Sequence, residues 1–289
     1  MLQRVDFHTH SSCSDGALPV PELLSRAVSA NVSAFALTDH DTIKGLAIAK
    51  DWLLNHSSTA LNIVSGTELS CVWQGITIHV VGLNFDAEHP ALIAYLKGLE
   101  RARAERAELI ANRLDKQGFS GALSGARALA GEAQLGRPHF ARWLVESGHC
   151  DSMNTAFRRW LGRGKLGDVK VFWPSLDQAV GVIVDAGGVA VLAHPHHYGM
   201  TRAKLKRLVA AFTEVGGQAI ELPLGKDHAD TSLYVRRLLT EFNLFVSLGS
   251  DFHADSDWGP SLGVDAAILG DLKPVWAHWS SGVVEEYTV

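Results

Sequence analysis

Thiols are scarce in this chain of 289 residues. Its three cysteines, Cys13, Cys71 and Cys150, are odd in number, far apart and never paired as C-x-x-C. That spacing excludes a disulfide framework and a thiolate zinc centre. Long apolar runs are also missing, and none approaches the ~20 residues of a membrane-spanning helix. The opening "MLQRVDFHTH" lacks the basic-then-apolar pattern of a leader peptide. The expected location is therefore the cytoplasm, with no membrane partner. Positive charge is not in excess either. A formal net charge of −5 argues against bulk affinity for duplex DNA. It leaves room for a local basic pocket that holds a small phosphorylated or single-stranded ligand. No repeat or low-complexity segment interrupts the sequence, and its length suits one large α/β domain or a barrel of about 250 residues carrying an insertion.

Histidine is what the chain has in plenty, with 14 residues. Many of them stand beside short apolar, β-branched runs that read as buried strands. These runs are "RVDF" before His8, "AFALT" before Asp39-His40, "NIVSG" before Glu68, "ITIHVVGL" around His79, "GVAVLA" before His194, "QAIEL" around Glu221 and "LFVSLG" before Asp251. Helical patterns lie between several of them, among them "PVPELLSRAVSAN", "LDQAVGVIVDAGG" and "RAKLKRLVAAFTEVGG". Alternating strands and helices predict a mostly parallel sheet with helices outside it. In such folds the loops after the strands converge on one mouth, where sites are built. Imidazoles and carboxylates gathered there without thiolates suit Mn²⁺, Zn²⁺ or Fe²⁺.

The alternation stops between about Pro90 and Lys170. There "HPALIAYLKGLERARAERAELIANRLDKQG" predicts a long charged helix, with shorter helices in "SGARALAGEAQLG", "RPHFARWLVESGH" and "MNTAFRRWLGRGK". The expected organisation is a barrel over residues 1–89 and 171–289, with residues 90–170 inserted as helices over the functional edge. The segment "DAAILG" near the end predicts a last strand or helix.

The motifs "DFHTHSSCSDG", "LTDHDT", "GTELS", "IHVVG", "LAHPH" and "GSDFHA", in that order, resemble the PHP (polymerase and histidinol phosphatase) family of metal-dependent phosphoesterases. The resemblance spans the chain outside the insertion. The insertion's "LGRPHFARWLVESG" and "AFRRWLGRGK" are similar to the branch that acts on nucleoside 3′,5′-bisphosphates and on the 5′ ends of short RNAs. The resemblance implies a distorted seven-stranded (β/α) barrel and two or three divalent ions per chain, Mn²⁺ foremost. It places His8, His10, Glu68 and Asp251 around one ion. Glu68 bridges to a second with His79 and His194, and Asp15, His40 and His253 take a third. Asp15 stands where other members carry histidine, which favours an oxygen-loving ion such as Mn²⁺. Asp39 is expected to orient its neighbours rather than to ligate. Two ions roughly 3.5–4 Å apart can share a hydroxide that attacks phosphorus. Glu68 and Asp251 are then the carboxylates nearest the reaction, and His196 or its neighbour His197 is a candidate to protonate the leaving alcohol.

Phosphate calls for further cations, and the insertion offers Arg137, His139, Arg158, Arg159, Arg163 and Lys165. Arg137 and His139 open a helix whose positive end suits phosphate, and guanidinium forks suit bidentate contact. Arg137, His139 and Lys165 are the substrate-binding candidates, whereas Arg158 and Arg159 read as solvated. Trp143, Trp160 and Trp173 read as packing residues. The expected substrate is a small nucleotide, adenosine 3′,5′-bisphosphate for example, or a short single-stranded RNA cut from its 5′ end. Histidinol phosphate is the competing small substrate, but its cationic amine would want carboxylates where Arg137 stands. A non-catalytic metal- or nucleotide-binding module and a C–N-cleaving amidohydrolase are the readings from other classes.

Overall fold

The apolar runs of the sequence do form strands, but their directions differ from the expectation. The computed structural model describes residues 2–56, 59–169, 173–225, 228–255 and 260–279. Within these lie β1 (Arg4–Asp6), β2 (Ala34–Ala36), β3 (Asn62–Val64), β4 (Gly66–Trp73), β5 (Ile76–Leu83), β6 (Val189–Leu192), β7 (Ala219–Glu221), β8 (Phe245–Ser247) and β9 (Val264–Asp265). One sheet runs β3-β2-β1-β9 and the other β4-β5-β6-β7-β8. Two seams join them. At one, Phe7 N donates to Leu248 O at 2.9 Å and Asp251 N to His8 O at 2.8 Å, tying β1 to β8. At the other, Asp41 N donates to Glu68 O at 2.9 Å, tying the end of β2 to β4. Because β3 and β4 are consecutive pieces of one bent strand beside β2, the circuit closes as a distorted ring of seven. Gly249 is needed at the first seam, since a Cβ there would stand 2.3 Å from His8 Cβ.

β1, β2 and β3 pair in parallel, as do β6, β7 and β8, but β5 runs antiparallel to both β4 and β6. The reason is local. Gln74 and Gly75 join β4 to β5 with φ of 47° and 72°, a two-residue hairpin turn that leaves no room for a crossover. Glu68 consequently sits near the start of β4, not in a loop after a strand.

The helices are α1 (Val20–Ser29), α2 (Lys44–Asn55), α3 (Pro90–Asp115), α4 (Ala122–Ala130), α5 (Arg137–Glu146), α6 (Met153–Ala156), α7 (Leu176–Asp185), α8 (Arg202–Glu214) and α9 (Ala229–Glu241). α2 and α9 were not expected from the sequence. The single helix expected from "MNTAFRRWLGRGK" is instead the short α6 running into a π-helical turn, Phe157–Leu161. "DAAILG" becomes the end of β9 and a 3₁₀ turn, Ala266–Leu269. α3 belongs to two cores: Leu92, Leu96 and Leu99 pack with the barrel, while Ala107, Ile110, Ala111 and Leu114 pack with Phe140, Leu144 and Leu161 of the helical layer. The expected domain boundary at residues 170 and 171 lies outside the described residues. No described helix is long and apolar enough to cross a membrane.

Candidate metal centre and its cavity

Nine side chains from six segments converge at the mouth of the ring, and Glu68 stands at their middle. It is fully buried. Its Oε1 lies 2.9 Å from His79 Nδ1 and 2.9 Å from His194 Nε2. Its Oε2 lies 3.4 Å from His8 Nε2, 3.3 Å from His10 Nε2 and 2.9 Å from His40 Nδ1. Each carboxylate oxygen therefore faces a different set of imidazoles. Asp251 Oδ1 closes over His8 Nε2 at 3.4 Å, His10 Nε2 at 3.3 Å and His253 Nδ1 at 3.5 Å. Asp15 stands further out. Its Oδ1 is 3.5 Å from His253 Nε2 and 3.8 Å from His10 Nδ1, and its Oδ2 is 3.8 Å from His40 Nε2.

The backbone at this site is held in unusual conformations. Asp41, His194 and Asp251 all have positive φ, at 55°, 26° and 55°. Such strain in non-glycine residues persists only where the surroundings over-determine it. Asp39 does not face the cluster. It accepts from Ser11 N at 2.8 Å, Ser11 Oγ at 2.7 Å and Ser14 Oγ at 2.7 Å, and so pins the loop that carries Asp15.

A divalent ion fits this donor set. His8 Nε2, both ring nitrogens of His10, His40 Nδ1, His194 Nδ1 and Glu68 Oε2 are buried with no aligned hydrogen-bond partner. Burial alone would drive the imidazoles neutral, but Asp251 and Glu68 outweigh it and raise His10 to about 10. His8 is likewise held well above its ordinary value against burial, by Glu221, Glu68 and Asp251. Burial opposes ionisation of Glu68 and Asp15 as well, yet the imidazoles, His40 foremost, hold both well below the carboxylate range. A field that holds protons this firmly on two imidazoles would hold a cation in their place. His79 goes the other way, to about 4, because its burial outweighs the attraction of Glu68.

Sequence reading missed the residues that aim the cluster. Glu221 Oε2 accepts from His8 Nδ1 at 2.7 Å and from His194 N at 3.1 Å, fixing the ring nitrogens that face Glu68. A carboxylate at a strand end was the available signal. Tyr198 bolts β5 to the turn after β6: its hydroxyl donates to Ala193 O at 2.8 Å and accepts from His79 N at 3.1 Å. Arg103 of α3 donates through Nε to Asp41 Oδ2 at 2.6 Å, directly beside His40. Gln134 N donates to Cys13 O at 3.0 Å, near Asp15, and its Nε2 to Asp41 O at 3.3 Å. The helical layer is thus tied to both loops that carry Asp15 and His40.

The centre opens into a cavity of about 290 Å³ whose lining includes Glu68, His79, Arg137, Arg163, His197 and Asp251. Arg137 is half-buried and donates to Leu161 O at 3.1 Å, and Arg163 donates to Tyr198 O at 2.7 Å. Both guanidiniums therefore keep donors to spare. The other substrate candidates lie elsewhere. His139 is buried and its Nδ1 accepts from Gly136 N at 3.0 Å, capping α5 away from the cavity wall. Lys165 is exposed and off the wall, and Arg158 and Arg159 are exposed, as expected of solvated residues. His196 does not line this cavity. His197 does, with its ring 5.0 Å from that of His194.

Known proteins resemble this chain over nearly its whole length. The PHP domain family matches residues 6–125. A 5′-3′ exoribonuclease, Rnm, of Escherichia coli is 41% identical over 277 residues, covering 95% of this chain and 93% of that protein. A 3′,5′-nucleoside bisphosphate phosphatase of Chromobacterium violaceum is 40% identical over 284 residues, covering 98% and 99%. Among solved structures, an amidohydrolase from Chromobacterium violaceum with bound sulfate and no metal superposes with a TM-score of 0.86 at 38% identity, covering 98% of this chain and 96% of that one.

Proposed function

The chain belongs to the PHP domain family and is a hydrolase of phosphoester bonds; within that class we propose that it removes the 3′-phosphate from nucleoside 3′,5′-bisphosphates, leaving the 5′-monophosphate, and also acts from the 5′ end on short RNA. The observation that carries this is Glu68, whose two oxygens face separate sets of imidazoles beside a cavity walled by two arginines. His8, His10, Glu68 and Asp251 would hold one divalent ion. Glu68, His79 and His194 would hold a second, and Asp15, His40 and His253 a third. The carboxylate of Asp15, added to the two imidazoles of this outer set, suits Mn²⁺. Bound divalent ions supply a water nucleophile at neutral pH and offset the charge that grows on the phosphoryl oxygens.

The chain's own residues do the rest. Arg137 and Arg163 take the 5′-phosphate with their free guanidinium donors and so set which end of the substrate reaches Glu68. Tyr198 keeps Arg163 and His79 in fixed relation, because both are bonded to it. His197, at the cavity wall, gives a proton to the departing O3′. Burial holds its imidazole below the ordinary value, so the dianionic phosphate raises it as substrate binds. Two guanidiniums at the far end disfavour a substrate with a cationic amine.

The test is phosphate release from adenosine 3′,5′-bisphosphate, histidinol phosphate and a simple chromogenic ester by the Mn²⁺-loaded protein. The bisphosphate should be preferred, and equal rates on all three would refute the reading. Arg137→Ala and Arg163→Ala should raise KM for the bisphosphate about tenfold or more, with a much smaller change on the simple ester.

A further inference from the structure

Beyond Asp251 and His197 lies a second cavity, of about 640 Å³, that the reaction above leaves unused. Its volume is within the ~300–1,000 Å³ usual for small-molecule sites. It opens at the ends of β7 and β8, the same edge of the ring as the metal centre. Asp251 and His197 line both cavities, so occupants of the two would meet at these side chains. One wall is imidazole: the ring of His196 lies 4.0 Å from that of His197 and 4.3 Å from that of His228. His196 Nδ1 is buried there without a partner. Apolar groups, among them Leu224, Pro260 and Ile268, also line it.

This cavity lacks, among its described residues, the guanidiniums of its neighbour. Its described lining has no lysine or arginine but includes Glu221 and Asp265. A bare phosphate would be repelled. A flat, uncharged heteroaromatic ring can stack on the imidazoles and lie against the apolar groups, and a ribose can donate its hydroxyls to the carboxylates.

We propose that this cavity receives the nucleoside on the 3′ side of the scissile phosphate when the substrate is a single-stranded oligonucleotide; the proposal rests on the phosphoesterase reading above. In a dinucleotide carrying a 5′-phosphate, a water oxygen bonds to the internucleotide phosphorus, the P–O3′ bond breaks, and O3′ takes up a proton. The first nucleoside leaves as its 5′-monophosphate with a free 3′-hydroxyl, while the attacked phosphate stays on the 5′-oxygen of the second. That second nucleoside is the only part of the diester that a 3′-phosphate lacks. It projects away from the arginine cavity, and the space across Asp251 is where it fits. One nucleoside fills the site, and with no cation on the described lining, nucleotides further along add little.

The experiment compares kcat/KM of the full-length, Mn²⁺-loaded protein on adenosine 3′,5′-bisphosphate, a 5′-phosphorylated diadenylate and the corresponding triadenylate. It uses the wild type, His228→Ala and Ile268→Glu, the last at a position already 41% exposed. Each substitution should cost the dinucleotide at least about fivefold more than the bisphosphate. The wild type should cut the tri- and dinucleotide with kcat/KM within about threefold of each other. Equal losses on both substrates, or none, overturn the subsite. Equilibrium binding of a fluorescent diadenylate to the same three proteins gives the answer independently of turnover, and unchanged affinity in both variants again overturns it. A wild type that binds nucleotides but releases no phosphate from the bisphosphate overturns the reaction and not the subsite.

Discussion

Arg103→Met should loosen the metal centre from outside it. Arg103 and Asp41 are both buried, with side-chain exposures of 7% and 0%, and the guanidinium Nη2 lies 2.5 Å from Asp41 Oδ2. Asp41 Oδ1 accepts from Ser70 N at 2.6 Å, so once Arg103 is gone one backbone N–H is the chief hydrogen bond left to a buried carboxylate. Removing one partner of a buried pair costs about 3–5 kcal/mol, because the other charge stays in low dielectric. For a chain of 289 residues, an unfolding entropy of about 2.1 cal/mol/K per residue converts that loss into a fall in Tm of about 5–8 °C. Arg103→Lys keeps the charge but loses the fork, and should fall between. The double variant Arg103→Met/Asp41→Asn tests the cause. Asparagine tolerates the positive φ at this position and leaves no charge, so the double variant should be more stable than Arg103→Met alone. Calorimetry on the four proteins measures the stability, and titration with Mn²⁺ checks whether His40, next in the chain to Asp41, holds metal about 10–100-fold more weakly. A Tm loss under about 1.5 °C for Arg103→Met, or purely additive effects in the double variant, would refute the argument.

Glu221→Gln should keep the fold, with its amide oxygen accepting from His8 Nδ1 and His194 N where Oε2 did, but it removes the negative charge beside His8. Metal affinity should fall about 10–100-fold, and unchanged metal content after dialysis would show that Glu221 does not orient the cluster. Burial pushes the Asp6 carboxyl up to about 6, against an ordinary 3.8, despite hydrogen bonds from Gly263, Ser250 and His8. The folded state therefore binds that proton more tightly than the unfolded state. The resulting stabilisation is present below about pH 4 and lost as the pH rises through about 6. Asp6→Asn, compared with wild type by urea unfolding of the metal-free protein, should be more destabilising at pH 4.5 than at pH 7 by about 2–3 kcal/mol. A difference independent of pH would contradict the assignment.

That the candidate ligands would gather at one mouth was legible because most of them are written locally. An apolar run followed by His-x-His, Asp-His or Asp-x-His identifies a strand end whatever the strand pairs with. The roles of carboxylates were not legible in the same way. Glu68 and Glu221 look alike in sequence, each beside a short apolar run. Only the structure shows that Glu68 turns both oxygens to imidazoles at the centre while Glu221 reaches the far nitrogen of His8. Direction was equally hidden in β5, one of whose two neighbours, β6, comes from beyond the helical insertion, although the Gln74-Gly75 turn to the other was a usable sign of its reversal.

Arg103 is the sharpest case. On a helix rich in Glu and Arg it reads as a solvated charge, with Glu100 three residues before it to offset it. Its burial depends on Asp41, which lies 62 residues earlier and is itself beside a candidate ligand. The spacing of Leu99 and Ala107 around Arg103 hints at the buried face, but nothing in either segment names the other as its partner. Yet this contact, with Gln134 reaching Cys13 and Asp41 from the same layer, ties the helices that carry Arg137 to the loops of Asp15 and His40. The helical layer therefore touches the site in two ways: it places the Arg137 guanidinium on the cavity wall, and it fixes the loops that carry His40 and Asp15. A helix swap that preserved Arg137 but not Arg103 would keep the first contribution and lose the second.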